Sequence, residues 1–175
     1  MYELRSTAGK ELSAIIANPS MTEATASNPL EGDEIIDTRF GKIAIKRDNP
    51  LTFSKGLLGF PDRTQYCLVD IPLPKFKQFK LLQSLEENEL SFITLPLDID
   101  NPIIELNDVT GACAELGFNI ADTLLLLIVS VHRELKQIKL SGNARAPIFV
   151  HSKKKRAEQY VLHNSKYLVR HTLME

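Results

Sequence analysis

The sequence predicts a mostly β fold: a small antiparallel β-barrel-like domain with one short helix over residues 33–175, preceded by a disordered extension over residues 1–32. Three observations predict it. About nine or ten short apolar runs recur with turn residues roughly every 8–12 positions, which is the spacing of a barrel or sandwich and not of alternating βαβ units. A single stretch, from Asp108, carries helix punctuation at both ends. Residues Ala17 to Asn28 are dominated by Ala, Asn, Ser and Thr and have too little apolar surface to offset the entropy of ordering them.

Within the extension, Leu4, Leu12, Ile15 and Ile16 are spaced for a short amphipathic turn or two. Asn18-Pro19 stops it, because proline steers the residue before it out of the helical region. The domain opens with two strand-like runs, Ile35 to Arg39 and Lys42 to Lys46, around Phe40-Gly41. The second alternates, with Ile43 and Ile45 on one face and Lys42, Ala44 and Lys46 on the other, as a half-buried antiparallel strand does. Asp48-Asn49-Pro50 is turn chemistry. Leu51 to Phe53 and Gln65 to Asp70 then flank Gly56-Leu57-Leu58-Gly59-Phe60-Pro61, a tight apolar connection that should fold back onto the sheet. Its outer side is a candidate partner surface.

Ile71-Pro72-Leu73-Pro74 ends the Gln65 to Asp70 strand, since proline gives a ladder no donor. Phe79 to Gln83 and Leu90 to Leu95 are further strands around an exposed turn, Glu86 to Glu89, with Pro96 expected as a stop. Asp98 to Pro102 is a polar loop and Ile103 to Leu106 a short strand. Asp108 is placed to cap a helix over Val109 to Leu116, with Gly117 as its C-terminal stop. Thr123 to Val131 is almost wholly apolar, which suits a central strand covered on both faces. The last third has a hairpin pattern: Ala146 to His151, a Lys153-Lys154-Lys155-Arg156 turn, Ala157 to His163, a turn at Asn164-Ser165, and Lys166 to Leu173.

Composition narrows the function. With 43% apolar and 25% charged residues and a net charge of −1, the 175-residue chain suits one soluble domain with a tail and points to neither nucleic acid nor membrane. Cys67 and Cys113 lie far apart in apolar patterns, so both are expected as reduced core residues. The longest apolar run, Leu124 to Val129, is far short of the roughly 20 residues of a membrane helix, and no basic-then-apolar leader is visible. A cytoplasmic location is the expectation. No catalytic, phosphate-loop or metal motif is present, so no enzyme activity and no cofactor are expected. His151 and His163 end two runs expected to pair, but two histidines without an acid do not make a metal site.

Charge is unevenly placed. Leu81 to His132 holds nine acidic residues and no Lys or Arg, whereas Arg133 to Glu175 holds ten basic residues and three acidic. Either the two halves neutralise each other in the fold, or an acidic face is left to attract a basic partner.

Ile35 to Gly41, running through Gly56-Leu57-Leu58-Gly59-Phe60, resembles the start of the flagellar assembly factor FliW family. Leu82-Gln83-Ser84 with Phe92 and Pro96, Ala144 to Ile148, Gln159 to Leu162, and Tyr167 are similar to its later motifs, over about residues 34 to 173. Leu58 stands where that family usually has proline, and Ala144 where it has leucine. The resemblance implies a compact, barrel-like, non-enzymatic regulator. It would bind cytoplasmic flagellin and the translational repressor CsrA, so that flagellin export frees it to capture CsrA. From charge alone, Glu86, Glu87, Glu89, Asp98 and Asp100 are the candidates for CsrA recognition, and Phe60 and Pro147 are candidates to border a partner groove. The alternative is a small barrel that binds nucleic acid through the basic last third. Such a barrel wants aromatics interleaved with basic residues, for which Tyr160 beside Lys155 and Arg156 is the nearest match.

Overall fold

The computed structural model describes residues 33–38, 40–71, 76–134 and 137–174. The expected extension over residues 1–32 and the proline-bearing segment 72–74 lie outside the described residues. Among the described residues there are eleven strands and one α-helix. They are β1 (Glu34–Thr38), β2 (Gly41–Ile45), β3 (Leu51–Phe53), β4 (Gln65–Asp70), β5 (Lys80–Ser84), β6 (Ser91–Leu97), α1 (Leu106–Leu116), β7 (Thr123–Glu134), β8 (Gln137–Gly142), β9 (Ile148–His151), β10 (Arg156–Gln159) and β11 (His171–Met174).

Seven strands close a barrel in the order β7-β6-β5-β4-β3-β10-β9 and back to β7. All neighbours are antiparallel except β3 and β10, which pair parallel through Thr52 with Arg156 and Phe53 with Ala157. The long apolar strand β7 is the hub. Its first half pairs with β9, from Thr123 opposite His151 to Leu126 opposite Ile148. Its second half pairs with β8, from Val129 opposite Gly142 to Glu134 opposite Gln137. A strand that changes partner midway closes the barrel at one end and throws off a β7-β8-β11 extension at the other.

Alternation along the strands feeds two cores. Leu51, Phe53, Tyr66, Leu82, Leu126, Ile148, Val150 and Ala157, with the half-buried Phe92, draw a member from each of the seven barrel strands and fill the interior. The opposite faces of β4 to β7, through Cys67, Leu81, Ile93, Leu95, Leu125 and Leu127, are covered by Ile43 and Ile45 of the β1-β2 hairpin and Val109, Ala112 and Cys113 of α1. This is why Leu124 to Val129 has no polar side.

Four expectations are corrected. Pro96 does not stop β6 but lies inside it, opposite Leu126. The β5 ladder has already ended at Lys80 opposite Thr94, so Pro96 has one neighbouring strand and its missing donor is tolerated. Ile103 to Leu106 is not a strand: the Asn101 side chain accepts from both the Ile103 and Ile104 amides at 2.9 Å, curling the chain into a turn that buries Ile104 and leads straight into α1. Asp108 is not the helix cap. Glu105 holds that position without a side-chain cap bond, and the Asp108 carboxylate, one turn in, instead accepts from the Tyr167 hydroxyl at 2.5 Å. The helix does stop at Gly117, in the left-handed region at φ +66°, where Gly117 and Phe118 amides take the Ala114 and Cys113 carbonyls.

The fourth correction concerns the last third. β9 and β10 form the expected hairpin around the lysine turn, but β10 ends at Gln159, and β11 pairs with β8, a strand not expected, rather than with β10. The intervening segment is held down on α1 instead. Tyr167 is buried, accepting from the Glu105 amide at 3.0 Å, and Tyr160 donates to Glu115 at 2.6 Å.

Candidate partner-binding surface

The connection from β3 to β4 is shaped by Gly56. Its φ is +64°, and a Cβ there would lie 2.3 Å from the Phe60 carbonyl oxygen, 2.8 Å from that of Pro61 and 2.9 Å from that of Arg63. Only glycine lets the chain turn back on itself this closely. The turn divides its apolar side chains. Leu57 goes into the barrel interior, whereas Leu58 is 60% exposed and Phe60 38% exposed, with Phe60 edge-on to Phe92 at 5.4 Å between ring centroids. The apolar connection therefore packs on the barrel through Leu57 and Phe60 and presents Leu58 to solvent.

Two neighbours clamp this turn. On one side Gln159, at the end of β10, accepts from the Leu58 amide at 2.9 Å and donates to the Ala146 carbonyl at 3.1 Å. The Tyr160 amide donates to the Pro147 carbonyl at 3.0 Å, and Ser54 hydrogen-bonds Glu158. Three sequence motifs far apart in the chain, 56–60, 146–147 and 159–160, thus meet at one place. On the other side stands the β5-β6 turn. Glu86 accepts from the Thr64 and Gln65 amides at 2.6 and 3.0 Å, and Glu87 pairs with Arg63 at 3.0 Å.

That acidic turn is itself built by the Leu82-Gln83-Ser84 motif. Gln83, wholly buried, places its amide nitrogen 3.0 Å from the Ser84 and Asn88 carbonyls and 3.2 Å from that of Leu90. The Ser84 hydroxyl accepts from the Glu86 and Glu87 amides at 3.2 and 3.1 Å. Gln83 and Ser84 were legible as a motif, but their task of holding the acidic turn was not. Sequence reasoning also missed Arg63 and Gln159, the side chains that tie the turn to its neighbours.

The candidate residues do not all come together. Phe60, Glu86, Glu87 and Glu89 share one end of the molecule. Asp98 and Asp100 follow the other end of β6, a strand whose seven residues span about 20 Å. Pro147 is buried and takes part through its carbonyl.

The charge asymmetry resolves in two halves. The later acids lie against the basic last third: Asp122 pairs with Lys153 at 2.8 Å, Glu105 and Asp108 share Lys166 at 2.6 and 3.5 Å, and Glu115 lies 3.3 Å from the His163 ring. The Tyr160 hydroxyl beside Glu115 holds that carboxyl below its usual range, and the Tyr167 hydroxyl does the same for Asp108. Among the described residues Glu89, Asp98 and Asp100 have no ion-pair partner, and Glu87 has only Arg63. The exposed carboxylates of the two turns, Asp62, Glu86, Glu87 and Glu89, outnumber the turns' basic residues, Lys55 and Arg63, so the turns that carry Leu58 and Phe60 and their neighbour are net negative.

His151 and His163 do not meet: the His151 ring packs on Phe118 and the His163 ring on Tyr160. Among the described residues no group of three His, Cys, Asp or Glu side chains is placed to hold a metal. Cys67 and Cys113 are free and buried, and burial pushes the Cys67 thiol up to about 11. No helix of the described residues is long and apolar enough to cross a membrane. The aromatic next to the basic hairpin is Phe118, with the Arg156 guanidinium 5.1 Å from its ring centre, and it is buried, so it offers no face to a stacking base.

Comparison with known proteins points one way. The FliW protein family model matches residues 34–173. The chain is similar to the flagellar assembly factor FliW of Bacillus pumilus (strain SAFR-032), with 32% identity over 149 residues covering 79% of this chain and 95% of that protein. It is similar to the FliW of Clostridium botulinum (strain Alaska E43 / Type E3), with 34% identity over 137 residues covering 77% and 94%. A crystal structure of the flagellar assembly factor FliW superposes with a TM-score of 0.62 at 25% identity, covering 81% of this chain and 98% of that one.

Proposed function

The chain belongs to the FliW family of flagellar assembly factors, and from that premise we propose that it is a non-enzymatic cytoplasmic regulator that binds flagellin and sequesters the translational repressor CsrA. Export of flagellin would free the protein to capture CsrA and so relieve repression of flagellin translation. The observation that carries this reading is the clamped turn. An exposed leucine and a half-exposed phenylalanine on a rigid base, beside turns whose carboxylates outnumber their basic side chains, suit a partner with an apolar anchor and a basic surround. CsrA, which binds RNA, is the partner for which a basic surface is required. Flagellin is the partner for which apolar contact is the more natural match.

Rim charges act mainly on association rate. Glu89 is the cleanest position to test, because it is exposed and its side chain makes no hydrogen bond or ion pair among the described residues, whereas Glu86 also holds the Thr64 and Gln65 amides. Glu89→Lys, alone and with Glu87→Lys, should slow association with CsrA at low salt and flatten its salt dependence while leaving the fold intact. Stopped-flow association across a salt series measures both. An unchanged rate at low salt would remove the acidic turn from CsrA recognition.

A further inference from the structure

β3 is short, and the barrel wall beside it is unfinished. It pairs with β4 only through Leu51 opposite Tyr66 and Thr52 opposite Gln65, while β4 runs on to Asp70. Two backbone bonds fix which way β4 faces. The Phe53 amide donates to the Thr64 carbonyl at 2.8 Å, and the Leu85 amide to the Gln65 carbonyl at 2.9 Å. Backbone groups alternate sides along a strand, so Gln65, Cys67 and Val69 turn theirs toward β5, and Tyr66, Leu68 and Asp70 turn theirs toward β3. Among the described residues no strand pairs with Leu68 to Asp70 on the β3 side.

A cleft of about 490 Å³ lies along this edge, at the opposite end of the barrel from the clamped turn. Leu51, Leu68, Leu124 and Val150 of the barrel interior form its floor, and Ala44 of β2 stands on its outer side. Leu68 and Leu124 are only half-buried, although they belong to the interior face. The rim carries Lys42, Lys46 and Lys155 with Asp33 and Asp70. Asp33 pairs with Lys46 at 3.8 Å, Asp70 pairs with Lys80, and Asp37 stands opposite Lys42 across the β1-β2 hairpin. Both signs are present, so the rim selects neither an anion nor a cation. What the cleft offers is an open strand edge beside a leucine floor. Native proteins cover such edges, because an uncovered one pairs with other chains. The cover that fits is an extended apolar segment, bonded to the edge through its backbone and set on the floor through alternate side chains.

The chain carries such a segment next to the cleft. Asp33 lines the cleft, and residues 1–32 lead into it. The match to the FliW family begins only at residue 34, so the family domain gives those residues no task. Within them Ser13-Ala14-Ile15-Ile16-Ala17 is an uncharged run with two adjacent β-branched residues, which suit a strand. An open edge asks for this run in extended form, in place of the helical turn its spacing also allows. From Ala17 to Asp33 the chain can reach about 50 Å, which crosses a domain of this size. Tethering holds the run near the cleft at an effective concentration of about the millimolar order, so weak edge pairing is enough. We propose that this cleft is the docking site of the chain's own Ser13 to Ala17, which pairs with the Leu68 to Asp70 edge and covers Leu68 and Leu124. The inference is independent of the flagellin and CsrA reading, so either can fail without the other.

The test is paramagnetic broadening in NMR spectra of the full chain. Ser20→Cys, just past the run, takes a nitroxide label, since Cys67 and Cys113 are buried. The amides of Leu68, Val69, Leu124 and Val150 are expected to lose most of their intensity, and Leu58, at the far end of the barrel, to keep its own. Adding Ile15→Asp and Ile16→Asp should restore the lost intensity and speed hydrogen exchange at the Leu68 amide, with the rest of the domain spectrum that of the parent. Broadening spread evenly over the surface, broadening at the cleft that the double substitution leaves in place, or Leu68 exchange equally fast in both chains would overturn the proposal. So would broadening that arises only when nitroxide-labelled chain is mixed with unlabelled, isotope-enriched chain, because it gives the cleft to a second copy.

Discussion

Replacing Gly56 with alanine tests the packing logic of the clamped turn. Two costs add there. An L residue at φ +64° costs about 1–2 kcal/mol in backbone strain. The new Cβ would also sit 2.3, 2.8 and 2.9 Å from three backbone carbonyl oxygens, none of which can rotate away as a side chain would. Forcing the backbone to accommodate it adds about 1–3 kcal/mol, as overpacking in a well-filled core does. The sum, about 2–5 kcal/mol, is a large part of the stability of a domain of this size, typically about 5–15 kcal/mol. Gly59 supplies the control. It too has a positive φ, +89°, but a Cβ there meets nothing within 4 Å, so Gly59→Ala should carry the backbone term alone, about 1–2 kcal/mol. Urea unfolding of both variants and the parent, followed by circular dichroism, gives the two losses directly. Equal losses, or a Gly56→Ala loss below that of Gly59→Ala, would refute the claim that close backbone approach, and not φ alone, requires Gly56.

Leu58→Asp, at a position 60% exposed, should change stability by no more than about 0.5 kcal/mol. It should weaken flagellin binding by at least about 1 kcal/mol if Leu58 is an anchor, as titration calorimetry would show. Tyr167→Phe removes the hydroxyl that accepts from the Glu105 amide and donates to Asp108, and should cost about 1–2 kcal/mol in the same unfolding assay. The carboxyl pKa values of Asp108 and Glu115 are depressed in the fold by the Tyr167 and Tyr160 hydroxyls. Their contribution is therefore present above the ordinary values, 3.8 for Asp108 and 4.5 for Glu115, and is lost as pH falls through those values toward the folded-state ones. Stability should decline over that acid range, less steeply in a Tyr160→Phe, Tyr167→Phe double variant, when melting is followed against pH. Burial of both thiols, with Cys67 pushed up to about 11, predicts that a thiol reagent labels the native protein only as fast as it opens, and labels the urea-unfolded chain at once.

Where a local pattern carried the structure, the sequence was enough. The alternation of Ile43 and Ile45 with Lys42 and Ala44 gave β2, the apolar run from Thr123 gave a central strand covered on both sides, and Gly117 stopped the helix. Errors arose where a side chain from elsewhere decided the backbone. Ile103 and Ile104 have strand composition, but Asn101 curls them into a turn. Val161, Leu162, Tyr167, Leu168 and Val169 also have strand composition. In the fold Leu162 and Tyr167 are buried beneath a loop strapped to α1, and Val161, Leu168 and Val169 are left exposed. β8 was missed although Ile138 and Leu140 alternate with Gln137, Lys139 and Ser141, because its partners, β7 and β11, lie in segments read as belonging elsewhere. For the candidate surface the sequence supplied the glycine turn and the acidic turn as separate features. Their union depends on Gln159, 101 residues from Leu58, and on Arg63, and a contact at that separation leaves no periodic trace in a single sequence. The same limit grouped Asp98 and Asp100 with Glu86 by charge when a full strand separates them.

The measurement that bears most directly on the proposed role is calorimetric titration of the purified protein with flagellin and with CsrA from the same organism, separately and then in competition. Saturable binding of each, with prior loading of flagellin weakening CsrA binding, is the result predicted for a protein that couples flagellin export to translation. Saturable binding of neither, or CsrA binding that flagellin leaves untouched, would contradict it.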